Sequence, residues 1–145
     1  MFMIYTRQVL LNIFSHVQLS AIESLHIWHY IHCNINPSHF MVQSNNAAPT
    51  IYLIDFSLAW QFHDPATYLH TPYTMKHSII GTLMFTSINS QQGHTQSHRD
   101  DLESLAYTII FLVCGHLPWT TVFTGRDHWY KAVLKKSSTH VASIL

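Results

Sequence analysis

Polar side chains able to do chemistry gather between residues 32 and 56, in the sequence HCNINPSHFMVQSNNAAPTIYLIDF. Two short apolar runs, at 41–42 and 51–54, flank the turn-forming residues Asn45, Asn46 and Pro49, and together they predict a β-hairpin. A polar loop precedes the first run, and a carboxylate follows the second directly. Such a hairpin is a plausible place for a site. The candidate residues are His32, Asn34, Asn36, His39 and Asp55.

Other elements must position this stretch. Before it, apolar residues recur at steps of three and four, which predicts an amphipathic helix over 9–29. After it, residues 57–98 are rich in Thr, Ser, His and Pro with few periodic apolar runs, a pattern typical of functional or disordered segments. A short helix is predicted over 126–136. The apolar positions of the first helix are Leu10, Ile13, Phe14, Val17, Ala21, Ile22, Leu25 and Trp28.

A central helix is predicted over residues 100–114. Ser97 or Asp100 can cap its start, and Asp101 adds negative charge to its first turn, where the helix dipole favours it. Beyond that turn the helix is apolar nearly all round, which predicts that it is buried. Gly115 is expected to end it.

Composition limits the classes of function. With 145 residues the chain is long enough for one domain with a core. Only 10% of the residues are charged and the net charge is zero, which argues against nucleic acid or an anionic membrane surface as partner. The longest uncharged run, 105–115, is about half of the roughly 20 residues that a membrane span needs. No nucleic-acid or membrane partner is therefore expected.

Thirteen histidines raise the question of a metal site. His26, His29 and His32 are spaced by three, and His94 and His98 by four, which is helical spacing for paired ligands. No cysteine or carboxylate completes either set in the sequence. The histidines are therefore interpreted as scattered surface and core residues, and no metal is expected to bind them.

Several strings, taken together, resemble casein kinase I and its relatives among the protein kinases. HCNINPSHF followed by IDFS resembles the kinase catalytic loop and magnesium loop. The SIN string, 87–89, stands where most kinases have Ala-Pro-Glu, and is specific to the casein kinase I branch. The resemblance covers roughly residues 9–136. The remaining strings that carry it are IYLIDFSLAW, HDPATYLHTPY, IIGT and SHRDDLESLAY followed by GHLPW.

The resemblance implies a mainly α fold with a small β-hairpin (α+β), namely the C-terminal lobe of a protein kinase as a single partial domain over 1–145. In this comparison 32–56 is the catalytic loop and hairpin, and 57–98 is the activation segment. The Gly-rich loop, strand lysine and helix glutamate of the N-terminal lobe have no counterpart, and would have to precede Met1. Closing helices are expected after Leu145, so the lobe is interpreted as truncated at both ends.

The resemblance also implies residue roles in the catalytic loop, whose kinase pattern is His-Arg-Asp-x-x-x-x-Asn with a lysine two residues after the aspartate. His32 keeps the first position, and Cys33 stands for the arginine. Asn34 stands for the aspartate that accepts the substrate's proton. Such proton transfer typically raises the reaction rate about 10²–10⁴-fold, and an amide cannot perform it. Asn36 replaces the lysine, so the positive charge that would stabilise the transferring phosphoryl group is absent. His39 replaces the asparagine that holds a second magnesium.

Other positions are kept or replaced in the same comparison. Asp55 keeps the magnesium-binding aspartate, although Ser57 replaces the glycine two residues later. One carboxylate without further ligands is a poor magnesium site, so the preferred interpretation of Asp55 is a strand-end residue that bonds nearby backbone amides. Asp101 matches the buried aspartate that holds the catalytic loop in kinases, with His32 packed beside it.

The casein kinase I branch also has basic residues lining an anion site near the activation segment. The matching positions here are Thr74, His77 and Met84, so most of that positive charge is absent. Lys76 is displaced by one position and is the remaining candidate cation. Recognition of acidic substrates is therefore not expected.

These residues predict a casein kinase I-like pseudokinase fragment that acts, if at all, as a protein-interaction module with an unidentified protein partner. No cofactor is expected. The first alternative is an active serine/threonine kinase with an incomplete gene model, which would use ATP and magnesium. The second is the product of a decaying gene. By family resemblance the location is cytoplasmic or nuclear.

Overall fold

The structure is a computed structural model that describes residues 16, 18–43, 50–75, 78–122 and 128–139. The described part is a small α+β fold with four helices and two small antiparallel sheets. In chain order the elements are α1 (18–27), β1 (Tyr30–Ile31), β2 (Phe40–Gln43), β3 (Thr50–Leu53), β4 (Trp60–Gln61), α2 (Ile88–Gln91), α3 (His98–Cys114) and α4 (His128–Ser138). Single 3₁₀ turns lie at Pro37–His39, Phe56–Leu58 and Thr120–Val122.

Both sheets frame the 32–56 stretch. The predicted hairpin is present as the β2–β3 pair, with Phe40 opposite Leu53 and Gln43 opposite Thr50. Its loop, with Asn45, Asn46 and Pro49, lies outside the described residues. The second sheet pairs β1 with β4, which brings the residues just before the polar loop next to those just after Asp55. The polar loop and the carboxylate are thereby held on one side of the molecule.

Three small apolar clusters form the described core. The first joins α1, the polar loop, the hairpin and α3. The second joins α3 to the residues that precede and follow it, and the third lies under the β1–β4 sheet. Because the first cluster includes Ile35 from inside the polar loop, packing fixes the loop as well as the helices. The buried members are Ile22, Ile35, Phe40, Ile51 and Leu105; Phe85, Ile110, Leu117 and Trp119; and Ile31, Cys33 and Phe62.

The central helix is longer and less buried than the sequence predicted. It begins at His98, because Ser97 is its N-cap and the Ser97 backbone amide donates to Asp100 Oδ2 at 2.8 Å. Gly115 ends it in a left-handed conformation, with φ of 79°. The prediction that the helix is buried nearly all round was wrong, since Leu102 and Leu112 are 44% and 38% exposed. Among the described residues, α3 packs against two of the apolar clusters, through Leu105 in the first and Ile110 in the second.

The two flanking helices also differ from their predicted bounds. The first was predicted over 9–29; its described helical part ends at residue 27, and residues 9–15 and 17 lie outside the described residues. Trp28 is 75% exposed instead of packed in the core, because the chain leaves the helix there and turns at His29 with φ of 63°. The last helix, predicted over 126–136, is described from His128 to Ser138. No helix in the described ranges is long and apolar enough to cross a membrane.

Hydrogen bonds, together with the apolar packing of Phe62 and Phe85, order the described part of the long polar segment 57–98. Isolated bridges join His63 to His70 and Met75 to His94. Side chains also bond to backbone: Thr71 Oγ1 donates to the Phe62 carbonyl at 2.9 Å. This explains why the segment has no periodic apolar pattern although it is folded.

Candidate functional site

Asp101 holds the start of the polar loop. Its Oδ2 accepts from the His32 backbone amide at 2.8 Å and from His26 Nε2 at 2.9 Å, and its Oδ1 accepts from the Cys33 amide at 2.9 Å. The carboxylate is 2% exposed. Cys33 has φ of 66°, a backbone conformation that side chains rarely adopt, so the carboxylate stabilises a strained turn.

His32 joins this turn to the end of β3. Its ring is fully buried, and Nε2 donates to the Ile54 carbonyl at 3.0 Å. Burial lowers the pKa of His32, which favours the neutral form of the ring. The ring also lies edge-on to Phe56, with centroids 5.2 Å apart. His32 therefore fixes the position of the neighbouring Asp55.

Asn34, at the position of the catalytic base in the kinase comparison, has its amide oxygen fully engaged. Oδ1 accepts from the Thr82 backbone amide at 2.9 Å and from Thr82 Oγ1 at 2.8 Å. Gly81 makes this approach feasible, because a Cβ there would lie 2.6 Å from the Cys33 carbonyl oxygen. The side chain is held in place but has no carboxylate that could take a proton.

Asn36, at the position of the kinase lysine, links the same groups and carries no charge. Its Nδ2 lies 3.0 Å from the Asn34 carbonyl oxygen and 3.3 Å from Thr82 Oγ1. Its Oδ1 accepts from the Ser38 amide at 3.0 Å and caps the 3₁₀ turn that follows. This amide network stabilises the loop, but it offers no cation to a phosphoryl group.

His39 and Asp55 face each other across the site, with Nε2 and Oδ2 3.3 Å apart. Asp55 has φ of 62° and caps the next 3₁₀ turn, where its Oδ1 accepts from the Ser57 amide at 3.3 Å. Hydrogen bonds from Ser57 lower the pKa of Asp55, and His39 adds to this effect. The side chains of His39 and Asp55 are 14% and 44% exposed.

These two residues do not fit the magnesium ion that the kinase comparison implies. Mg²⁺ prefers oxygen ligands and octahedral geometry, whereas His39 offers a ring nitrogen where the kinase pattern has an amide oxygen. No step of phosphate transfer is therefore assigned to this pair.

The histidine sets noted in the sequence do not come together as metal sites. His26 bonds to Asp101, while His29 Nδ1 lies 3.1 Å from His63 Nδ1. His94 stacks on Tyr73, and the His98 ring stacks on His26. Within the described ranges, no three or more His, Cys, Asp or Glu side chains are arranged to hold a metal ion.

The positions expected for the anion site are only partly described. Lys76 and His77 lie outside the described residues. Thr74 Oγ1 lies 3.0 Å from Thr95 Oγ1, and Met84 packs against the cluster that contains Trp119. Neither Thr74 nor Met84 can supply positive charge to an anion.

Two residues near the site were missed by sequence reasoning. Thr82 was noted only as part of the string IIGT, although it makes the main contacts to Asn34. Lys136, near the end of α4, is 4% exposed, and its Nζ donates to the carbonyls of Leu83 and Thr86 at 3.1 and 2.5 Å. It therefore holds the segment that follows Thr82. No local signal marks a lysine of α4 as buried.

In a comparison with protein-family models, the chain matches the fungal protein kinase family over residues 3–114. These are 112 of the 145 residues, and they include the polar loop, the hairpin and α3. The chain belongs to this family. The match confirms the protein kinase-like relationship that the strings of the site suggested.

Proposed function

We propose that the chain is a casein kinase I-like C-terminal lobe that no longer transfers phosphate and acts through binding a protein partner. The observation that carries this proposal is Asn34. It has no carboxylate, and its amide oxygen already accepts two hydrogen bonds from Thr82. The neutral Asn36 and the imidazole of His39 support it, since both replace groups that bind or stabilise phosphate and magnesium.

The test is phosphate transfer from magnesium-ATP to casein by the purified chain. We expect no transfer above that of the heat-denatured chain, with an active kinase as assay control. The Asp55→Ala variant separates true activity from a contaminating kinase. Transfer that the wild type shows and this variant loses would refute the proposal.

Thermal unfolding separates the alternatives. We expect a cooperative transition whose midpoint does not change with magnesium-ATP, because no cofactor is proposed. A midpoint that rises with nucleotide would favour the active serine/threonine kinase. A transition without cooperativity would favour the product of a decaying gene.

A role in protein interaction is supported by an exposed apolar cleft between α1 and α3. Leu19, Ile27 and Leu102 line it, and they are 47%, 67% and 44% exposed. Contiguous exposed apolar surface of this kind is typical of contacts with another protein. As in the sequence interpretation, the proposed partners include neither nucleic acid nor membrane, and the proposed location is cytoplasmic or nuclear.

The interaction role is tested by cross-linking the chain to its partner, with Ile27→Glu as the variant. Leu134→Glu on α4 is the matched control, since Leu134 is also about half exposed. We expect the cross-linked species to disappear in Ile27→Glu and to persist in Leu134→Glu. Equal yields in both variants would contradict the assignment of the cleft.

A further inference from the structure

Five of the 13 histidines gather around the ring of Phe62, although the sequence interpretation treated the histidines as scattered. Four of the rings lie 3.8–6.1 Å, centroid to centroid, from the fully buried ring of Phe62. The fifth, His26, stacks on His98 at 4.3 Å. These five residues form the histidine cluster, which consists of His26, His29, His63, His70 and His98.

The histidine cluster joins the segment 62–71 to the helices. Two of its members belong to the segment, two lie on α1 or directly after it, and His98 is the first residue of α3. Within the segment, which the structure describes completely, Phe62 is the only buried residue, and residues 64–70 are exposed. The Phe62 amide also donates to the His29 carbonyl at 3.1 Å. Because one apolar side chain anchors the segment, the groups packed on that side chain decide whether the segment stays attached.

Positive charge on the histidine cluster is unfavourable while the segment is attached. His29 Nδ1 and His63 Nδ1 are 3.1 Å apart, and whichever atom holds the proton, they can share a hydrogen bond only while one ring is neutral, since a protonated imidazole has donors alone. His98 lies in the first turn of α3, where the helix dipole disfavours a cation. Burial lowers the pKa of His63, and it lowers the pKa of His98 to about 4; neighbouring histidines add to both effects.

The acidic groups near the histidine cluster offset little of this charge. Asp101 is engaged by His26 and by two backbone amides, and its effect on the pKa of His98 is smaller than the lowering by burial and by the other histidines. Asp64 accepts from two amides of its own turn. Both Asp64 and Glu23, which lies on α1 beside His26, are exposed to water that screens their charge. The nearby ring of Tyr68 is a phenol and carries no negative charge in acid.

We propose that the histidine cluster is a pH-sensitive switch, which in mild acid releases the segment 62–71 from α1 and α3 while the helices and the β2–β3 hairpin stay folded. In the released segment the imidazoles are surrounded by water and take up protons near pH 6.5, as free histidine does. Each histidine that is neutral when the segment is attached and protonated when it is released shifts the equilibrium toward release by up to about tenfold per pH unit. The switch requires neither nucleotide nor a protein partner, so it goes beyond the proposed function and is independent of it.

The test is amide hydrogen exchange of the full chain, measured by mass spectrometry at about pH 7 and about pH 5 and corrected for the intrinsic exchange rate at each pH. The reporters are the amides of Phe62, Asp64 and Thr71, which donate to backbone carbonyls in the attached segment. We expect their protection to fall at least about tenfold at the lower pH, while the amides of α3 remain protected. Loss of protection in α3 together with the segment would overturn the proposal, because it would show global unfolding. Unchanged protection of the segment would overturn it as well.

Variants assign the change to the histidine cluster. His98→Gln removes a titratable ring and keeps a polar side chain, and should reduce the fall in protection by up to about tenfold. His63→Gln provides a second variant in case His98→Gln fails to fold, and circular dichroism reports folding for both. His116→Gln is the matched control, because His116 is exposed and bonds to the Cys114 carbonyl outside the cluster, and it should behave as the wild type. A folded His98→Gln or His63→Gln chain whose segment loses as much protection as the wild type would overturn the proposal.

Discussion

Replacing Asp101 tests how the polar loop is held. In Asp101→Ala, the backbone amides of His32 and Cys33 lose their acceptor while remaining buried, and His26 loses its partner. The left-handed turn at Cys33 then loses the group that stabilises it. We expect this single substitution to destabilise the fold strongly.

The magnitude follows from the number of amides left without a partner. A buried donor without an acceptor costs about 1–3 kcal/mol, so two of them give about 2–6 kcal/mol. A small domain is stable by about 5–15 kcal/mol in total. Asp101→Asn keeps one acceptor oxygen, and should therefore cost about half as much as the alanine variant.

The assay is urea denaturation followed by circular dichroism, with the free energy of unfolding obtained by linear extrapolation. Asp64→Ala is the matched control, because the Asp64 carboxylate also accepts from two backbone amides, those of Ala66 and Thr67, but is exposed. The control should change stability much less. A free energy for Asp101→Ala within about 0.5 kcal/mol of wild type, the usual range for surface substitutions, would refute the reasoning.

Three further predictions concern stability. Gly81→Ala should lower the free energy of unfolding more than the matched Gly115→Ala. Both glycines have positive φ, which costs about 1–2 kcal/mol for alanine, but of these two positions only Gly81 would bring the new Cβ into a clash with backbone. Equal urea midpoints for the two variants would contradict this. Burial lowers the pKa of Lys136 to about 7, so the unfolded state binds more protons between pH 7 and 10.5 and stability should rise with pH, by roughly 1 kcal/mol per unit. Lys136→Met should abolish that rise. Burial, with a contribution from neighbouring histidines, lowers the pKa of His98 to about 4, so stability should fall as pH drops from 6.5 to 4. His98→Gln should reduce this fall. A variant whose stability depends on pH as in the wild type would count against a neutral His98.

Local patterns predicted the elements whose signals lie within a few residues of each other. The hairpin followed from two apolar runs around turn formers, and the end of α3 from Gly115. The β1–β4 sheet was missed because each strand has two residues, and its pairing joins Ile31 to Trp60. No periodicity can develop over two residues, so only tertiary structure identifies such a sheet.

The residues of the candidate site were chosen from the sequence, whereas their contacts could not be. Asn34 and Asn36 were expected to lack charge at positions where kinases need it, and this can be read from residue types alone. The bonds from Thr82 to Asn34 join residues 48 positions apart, which no local pattern reveals. The orientation of Lys136 also depends on tertiary structure, because the carbonyls that bind it belong to a distant segment.

The most direct test of the central claim, that the catalytic loop is built but cannot transfer phosphate, is the phosphate-transfer assay on the unmodified chain. Loss of the base alone typically lowers the reaction rate about 10²–10⁴-fold. Asn36 and His39 also replace the lysine and the metal-binding asparagine of the kinase pattern. The account predicts no phosphate on casein above the denatured control. Phosphate transfer by the wild type that Asp55→Ala abolishes would contradict it.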